Sequence, residues 1–479
     1  MLTFTDVMIP LNRPEYISYP EGFLSALAWS AFKVEKSPVA SAGKKLGLRF
    51  HVVLETKNTG NIEIHETEPK AGLLTEFEAA LAKFGLESTE INSGLGQAIL
   101  QSVRGTASLK GKFVPASPLT PALSLMQNSV GLQGKKNPPD LAEILETMYD
   151  LGSGSTSGRS LASSLADAQK LRLDQDPILR AIDSALSEVV WGAVSRDQGA
   201  ANRTLKGQSL APFLTESPFF WFAQSWDQIT SPEWVEALPA RVWVDWATTI
   251  LRAAYALGFL WETTWYEALA REILSCNDEK KLTIEGILSR QEPPLSWRAN
   301  NASAEIRDLS SKLKWRCFRS VEIRKALDTW ITANSAGSLP LEQVGDLMRS
   351  DEKLIKKLVS SLNMDRNSDS GPGKNLWEAI RYTLVSREAG DHYGFFKSSG
   401  KRYLFAEPGL EWAAVMASLV SSRPGDTTNV GLVADALAKM GASPDPKDLI
   451  VLLEKSGLAR GAADADLGVQ VETAYRGKN

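Results

Sequence analysis

"TTILRAAYALGFLW", Thr248–Trp261, is the stretch whose reading decides the fold. It is the most apolar helical run in the chain. It is too short to span a bilayer, which takes about 20 apolar residues, and Arg252 stands in its middle. Outward from it, Trp243, Trp246, Ile250, Leu257 and Trp261 fall on one helical stripe. The segment Trp221 to Trp265 holds seven of the 14 tryptophans. Stripes of this kind are core more often than ligand sites. The stretch is therefore expected to be a buried helix at the middle of a helix-rich protein.

The rest of the chain is read around that helix. At roughly 150 residues per domain, 479 residues suggest about three domains. The expected class is mainly α and multidomain. It has an α+β part over 1–140, a helical Trp-rich part over 141–300, a helix-turn-helix-like unit over 301–366 and a winged-helix-like domain over 375–479. In the first part, "LGLRFHVVLETKNTGNIEIHETE" reads as a hairpin around "NTGN". "LLTEFEAALAKFGL" reads as a helix stopped by glycine. "DPILRAIDSALSEVVWGAV" has Asp176 as N-cap and Pro177 at the first helical position, with Ile178, Ile182, Leu186 and Val190 on one face.

From Val321 to Met364 the pattern reads as three short helices, with Pro340 and Ser350 at the starts of the second and third. "RNSDSGPGKN", Arg366 to Asn375, is the clearest linker. "YGFFKSSGKRYLFAEP" is a second hairpin around Gly400. Three helical segments and two strand-like pieces around a flexible tip follow, the order of a winged helix.

Composition excludes several classes. Lys plus Arg is 53 and Asp plus Glu is 57, a net charge of −4, so no global basic field draws the chain to nucleic acid. His51, His65, His392, Cys276 and Cys317 show no zinc spacing and no hydrolase motif, and no cofactor or metal is expected. Two cysteines suit a reducing cytosol, with a bridge between them left open. The first twenty residues lack the pattern of a signal peptide, and the expected location is the cytoplasm.

Several chemistries are tested and set aside. "LGSGSTSGRS", Leu151–Ser160, is not a Walker loop: Ser153 stands where the first glycine should be, Arg159 where lysine should be, and a helix precedes it. It reads as a loop between helices, with Ser155, Thr156, Ser157 and Arg159 as conceivable phosphate contacts. "VVLETK" resembles the E-x-K half of a PD-(D/E)xK nuclease through Glu55 and Lys57, but its upstream acid is weak. Asp245, Glu262 and Glu267 among tryptophans suggest a glycosidase only weakly.

The strongest nucleic-acid signal is "KLKWRCFRSVEIRK". Lys312, Lys314, Arg316 and Arg319 flank Trp315 and Phe318, and Lys353, Lys356 and Lys357 extend the patch. Arg104, Lys110, Lys112, Lys135 and Lys136 lie in a segment, Ile91 to Pro139, with no acidic residue. The C-terminal unit has no excess of positive charge and carries Asp464 and Asp466 at its tip, so it suits a protein partner.

The expected function is a non-enzymatic subunit of a prokaryotic nucleic-acid-associated complex. Its partners are other subunits and DNA or RNA, with no membrane. In coarse outline the chain resembles the large subunit of a CRISPR effector or a component of another defence complex. The alternatives are a free-standing winged-helix transcription regulator and a metal-dependent nuclease.

Overall fold

The computed structural model describes residues 2–14, 17, 19–36, 46, 51–54, 62–65, 69–86, 94–105, 115–126, 140–153, 158–197, 199, 205–277, 280–297, 303–365, 370–386, 391–399, 403–459 and 468–476. Among these the chain is mainly helical, with a few small sheets. The principal helices of the first half are α1 (Gly22–Ala31), α2 (Ala71–Lys83), α3 (Leu141–Ser153), α4 (Leu161–Gln175), α5 (Pro177–Leu186) and α6 (Pro218–Ile229). The centre holds α7 (Ala240–Ser275), α8 (Ile284–Arg290), α9 (Ser303–Asn334), α10 (Leu341–Ser350), α11 (Glu352–Leu362) and α12 (Pro372–Leu384). The C-terminal part holds α13 (Leu410–Ser418), α14 (Val430–Lys439) and α15 (Pro446–Lys455).

Helix α7 is the axis of the molecule. Its 36 residues make it about 54 Å long at 1.5 Å per residue. Every residue from 246 to 270 is buried, not only the tryptophan stripe. Helices α1, α3, α6, α8, α9 and α12 pack along it, and α10, α11 and α13 make smaller contacts. A helix enclosed on all sides must be apolar all round or satisfy its polar groups itself. Thr263 and Thr264 do the latter, donating to the carbonyls of Leu260 and Trp261 on their own helix. Gly258 provides close approach: a Cβ there would lie 3.1 Å from Met148 of α3 and from Phe219 of α6. Trp243 and Trp265 donate their indole N–H to the carbonyls of Ile229 and Val7. Arg252, the charge inside the most apolar run, is buried and donates to the carbonyl of Thr383 at 3.0 Å. It also pairs with Asp391 at 3.4 Å, which ties α7 to the end of α12.

Helix α9 corrects the expected helix-turn-helix reading. "VEIRKALDTWI" is not a separate short helix but the last third of a 32-residue one. No glycine or proline interrupts 303–334, so nothing stops the helix. Its buried stripe runs Leu313, Cys317, Ser320, Ile323, Leu327 and Trp330. Serine and cysteine on that stripe hide its period in the sequence. Asp351, not Ser350, caps α11, accepting from Lys353 N and Leu354 N, and Trp330 donates to the same carboxylate. The expected linker is shorter than the sequence suggests: α12 starts at Pro372, and Gly373 lies against Phe318.

Other expectations meet the structure more directly. Asp176 caps α5 with Pro177 at its start, and the chain then widens into a π-turn over Ser187–Trp191. Ile178 is 56% exposed and leaves the expected stripe, while Ile182, Leu186 and Val190 are buried. Gly85, with φ of 88°, ends the turn after α2. Both hairpins form, one from β2 (His51–Leu54) with β3 (Ile62–His65) and one from β6 (Phe396–Ser399) with β7 (Tyr403–Ala406). Cys276 and Cys317 are free thiols and buried. Among the described residues no helix is long and apolar enough to cross a membrane.

Pairings tie segments distant in sequence. Residues 2–5 hydrogen-bond to 337–341. β1 (Phe32–Val34) lies antiparallel to β4 (Val194–Arg196), and β5 (Leu295–Trp297) runs parallel to β9 (Ala442–Pro444). Tyr475 meets Trp246 edge-on at 5.7 Å, and Lys439 pairs with Glu216 at 3.1 Å. β8 (Thr427–Asn429) pairs with β10 (Gln470–Glu472), and Ala459 bridges Val471 on the strand's other side.

Candidate functional site

Three carboxylates recur along α7, and the basic groups of its neighbours converge on them. Glu262, Glu267 and Glu272 are all buried. Arg324 of α9 donates to Glu262 at 3.0 Å. Arg316 and Arg319 of α9 stand 3.5 and 3.9 Å from Glu267, with Arg271 also at 3.9 Å. Lys280 at 3.0 Å and Arg290 of α8 meet Glu272. Burial pushes the Glu262 carboxyl up to about 7, against the pull of Arg324. Burial also raises Glu267, outweighing its three arginines. At Glu272 burial raises the carboxyl too, but hydrogen bonds from Arg290 and Lys280 outweigh it and the net shift is downward. The row braces α7 against α8 and α9. A buried ion is costly unless another charge meets it; the cations offset that cost in part at Glu262 and Glu267 and outweigh it at Glu272.

This brace takes up part of the basic stretch read as a nucleic-acid face. Arg316 also bonds to Glu292 at 2.8 Å and to the Pro294 carbonyl, and Arg319 donates to the Met364 carbonyl. Phe318 is half-buried against Gly373 of α12. Trp315 and Lys314 are half-buried and Lys312 is exposed. On α11, Lys353, Lys356 and Lys357 are exposed. Lys356 pairs with Glu352 and Lys357 with Glu322, each at 3.0 Å, so α11 and α9 do meet through charge.

Arg104 belongs to a different region, where its carbonyl accepts from Arg241. Lys110, Lys112, Lys135, Lys136, Glu55 and Lys57 lie outside the described residues, as do Ser155, Thr156, Ser157, Asp464 and Asp466. The glycine–serine loop is explained at both ends. Gly152 belongs to the last turn of α3, where a Cβ would strike the Phe219 carbonyl of α6. Ser160 caps α4, and the buried Glu146 carboxylate accepts from Leu161 N and Ala162 N at 3.0 and 2.9 Å. A helix start attracts an anion, and here the chain supplies its own. Arg159 is exposed, and its charge acts on Asp227.

A second surface lies in the C-terminal part. The β6–β7 hairpin and α15 border a groove of about 500 Å³ that includes Lys397, Glu407, Leu410, Asp448, Val451 and Lys455. Leu410 is 40% and Val451 47% exposed, while Leu449 and Leu453 are buried inside α15. Lys397 and Lys455 with Glu407 and Asp448 rim an apolar floor, and the third carboxylate of the lining, Asp391, is taken up by Arg252; the pattern suits a protein surface more than a phosphate chain. Sequence reading found the charge balance but missed the groove, because Leu410 and Val451 are 41 positions apart. Among the described residues no cluster of three or more His, Cys, Asp or Glu could hold a metal.

No known family model, curated protein or solved structure matches this chain.

Proposed function

We propose that the chain is a non-enzymatic subunit of a nucleic-acid-associated protein complex, of the kind found in prokaryotic defence. In this reading its C-terminal part docks a protein partner, and exposed lysines contact the nucleic-acid backbone. The observation that carries the proposal is the α15 groove, with Leu410 and Val451 exposed between balanced charges. Supporting it is the order α13, β8, α14, α15, the Ala459 bridge and β10, which we read as a winged helix turned to protein binding. Arg316, Arg319 and Arg324 are turned to the buried carboxylates of α7, so in this reading the backbone contacts among these residues fall to the exposed lysines, Lys312, Lys353, Lys356 and Lys357.

The test is co-purification of the tagged full chain from its native cells. Leu410→Asp with Val451→Lys should remove stoichiometric partners and leave nucleic-acid affinity within a few-fold. Partners retained by that variant, with nucleic-acid affinity lost, would reverse the assignment of the two surfaces.

A further inference from the structure

Residues 11–14 run beside α7, α9 and α12 and with them line an open cavity of about 370 Å³. Arg13, Glu262, Tyr266, Arg324, Lys325 and Asp328 supply its polar lining. Leu11, Pro14, Val321 and Leu376 supply an apolar wall. The volume lies within the range of small-molecule sites, about 300–1,000 Å³.

The cavity is built rather than incidental. Arg324 is held from three sides: Glu262 at 3.0 Å, Asp328 at 3.9 Å and the Tyr266 ring, whose centre lies 5.8 Å from the guanidinium carbon. Among the described residues only one of its N–H groups makes a hydrogen bond. The guanidinium fork has five donors, so it has capacity for an anion. The Tyr266 hydroxyl is buried on the same wall; the Ile9 backbone N–H approaches its oxygen, and among the described residues no acceptor takes its O–H. The Ile9 backbone is near enough to lower its proton affinity slightly, but burial dominates and raises it. A buried O–H without an acceptor costs free energy that a ligand acceptor would recover.

Charge selects the ligand class. Arg13, Arg324 and Lys325 oppose Glu262 and Asp328, three cations against two carboxylates, a surplus of one. Protonation of Glu262 makes the surplus two. A phosphomonoester carries about −1.5 to −2 at pH 7. We propose that this cavity binds a phosphomonoester of nucleoside-monophosphate size, its phosphate on Arg13, Arg324 and Lys325 and its body against Leu11, Val321 and Leu376.

Binding is coupled to a proton. The groups facing Glu262 are Tyr266 on its own helix, Arg324, Lys325 and Asp328 on α9, and Arg13 on the N-terminal segment; α12 brings only Pro372 and Leu376. A phosphate that draws Arg324 away from Glu262 leaves a buried carboxylate, which then takes up a proton. Burial already holds that carboxyl at about 7. Affinity therefore rises as pH falls from 8.5 toward 7.

The experiment is calorimetric titration of the full chain with adenosine 5′-monophosphate, a mixture of the four nucleoside 5′-monophosphates, adenosine, and a 5′-phosphorylated tetranucleotide. Saturable binding of the monophosphates, at least tenfold tighter than adenosine, is expected. The tetranucleotide arm tells a free nucleotide from a nucleic-acid end: tighter binding of the tetranucleotide assigns the site to the end, and tighter binding of the monophosphate assigns it to the free species. Arg13→Ala and Lys325→Ala, both at exposed positions, should each weaken binding about tenfold or more, with the thermal midpoint unchanged. Glu262→Gln should tighten binding several-fold at pH 8 and flatten the pH dependence. Those two exposed variants keep the test decisive if Glu262→Gln folds poorly. Absence of saturable binding for every phosphorylated probe, or binding that Arg13→Ala and Lys325→Ala leave within twofold, overturns the proposal.

Discussion

Helices α9 and α15 both carry basic residues, and the chain uses them oppositely. On α9 the arginines turn inward to Glu262 and Glu267, carboxylates that α7 has already removed from water. On α15 the charges are mixed, the buried carboxylate that lines the groove beside it, Asp391, is already paired with Arg252 of α7, and an apolar residue, Val451, faces outward. The number of cations on a helix therefore says little about its role. What decides is whether the neighbouring helix presents a buried anion. Where it does, the cation becomes part of the frame; where it does not, the cation stays at the surface.

The largest effect should come from breaking the frame. Glu267→Ala leaves Arg316 and Arg319 facing a buried gap, and loss of one partner of a buried pair costs about 3–5 kcal/mol. Arg316 keeps Glu292 and the Pro294 carbonyl, so the low end of that range is expected. Urea unfolding measures it. A loss under about 0.5 kcal/mol, the level of an exposed pair, would place Glu267 at the surface energetically and erase the contrast with α15.

Next comes packing. Gly152→Val places a side chain against the Phe219 carbonyl where α3 crosses α6. Backbone gives little, and overpacking of this kind costs roughly 2–3 kcal/mol. A thermal midpoint unchanged by the substitution would return Gly152 to the role of a loop glycine.

The third effect depends on pH. Burial raises the Glu262 carboxyl from 4.5 to about 7 in the folded chain. A raised value means stability is fully present below the unfolded value and is lost as pH rises through the folded one. Glu262→Gln removes that loss. Relative to the unsubstituted protein, the variant should gain roughly 2 kcal/mol between pH 5 and 8, since a tenfold change in proton affinity is worth about 1.36 kcal/mol. Urea midpoints at several pH values read the difference. A difference that stays flat between pH 5 and 8 would mean that Arg324 outweighs burial at this site.

How much of this is legible in the sequence follows from where the partners lie along it. The axis α7 is readable because Trp243, Trp246, Ile250, Leu257 and Trp261 share one local period. The cap at Asp176 and the hairpin strands are readable for the same reason: the signal and its consequence are a few residues apart. The continuity of α9 is obscured because Cys317 and Ser320 occupy core positions where apolar residues are expected. The brace shows in the sequence only as two unconnected signals. Glu262 and Glu267 read there as a weak sugar site, and Arg316 and Arg319 as a phosphate-binding face. They lie about fifty residues apart, and only the packing of α9 on α7 reveals that they answer each other. The cavity at Arg13 needs four segments, from residue 11 to residue 376, and no local pattern marks it.

The smallest effect on stability should come from the lysines of α11, and it separates the two uses of charge most sharply. Lys356 and its partner Glu352 are 77% and 84% exposed, so their pairing contributes at most a few tenths of a kcal/mol. Lys353 is exposed as well. Lys353→Ala with Lys356→Ala should therefore leave urea stability within about 0.5 kcal/mol. If these two lysines meet a nucleic-acid backbone, each lost phosphate contact lowers the log–log salt slope by about 0.7 to 0.9. Arg316→Ala should behave in the opposite way, lowering stability while its direct effect on the slope is small. Filter-binding titrations from low to moderate salt, beside urea curves on the same variants, distinguish the two. A slope unchanged in the double-lysine variant and reduced by Arg316→Ala would show that the inner row of α9, not the outer lysines, meets the nucleic acid.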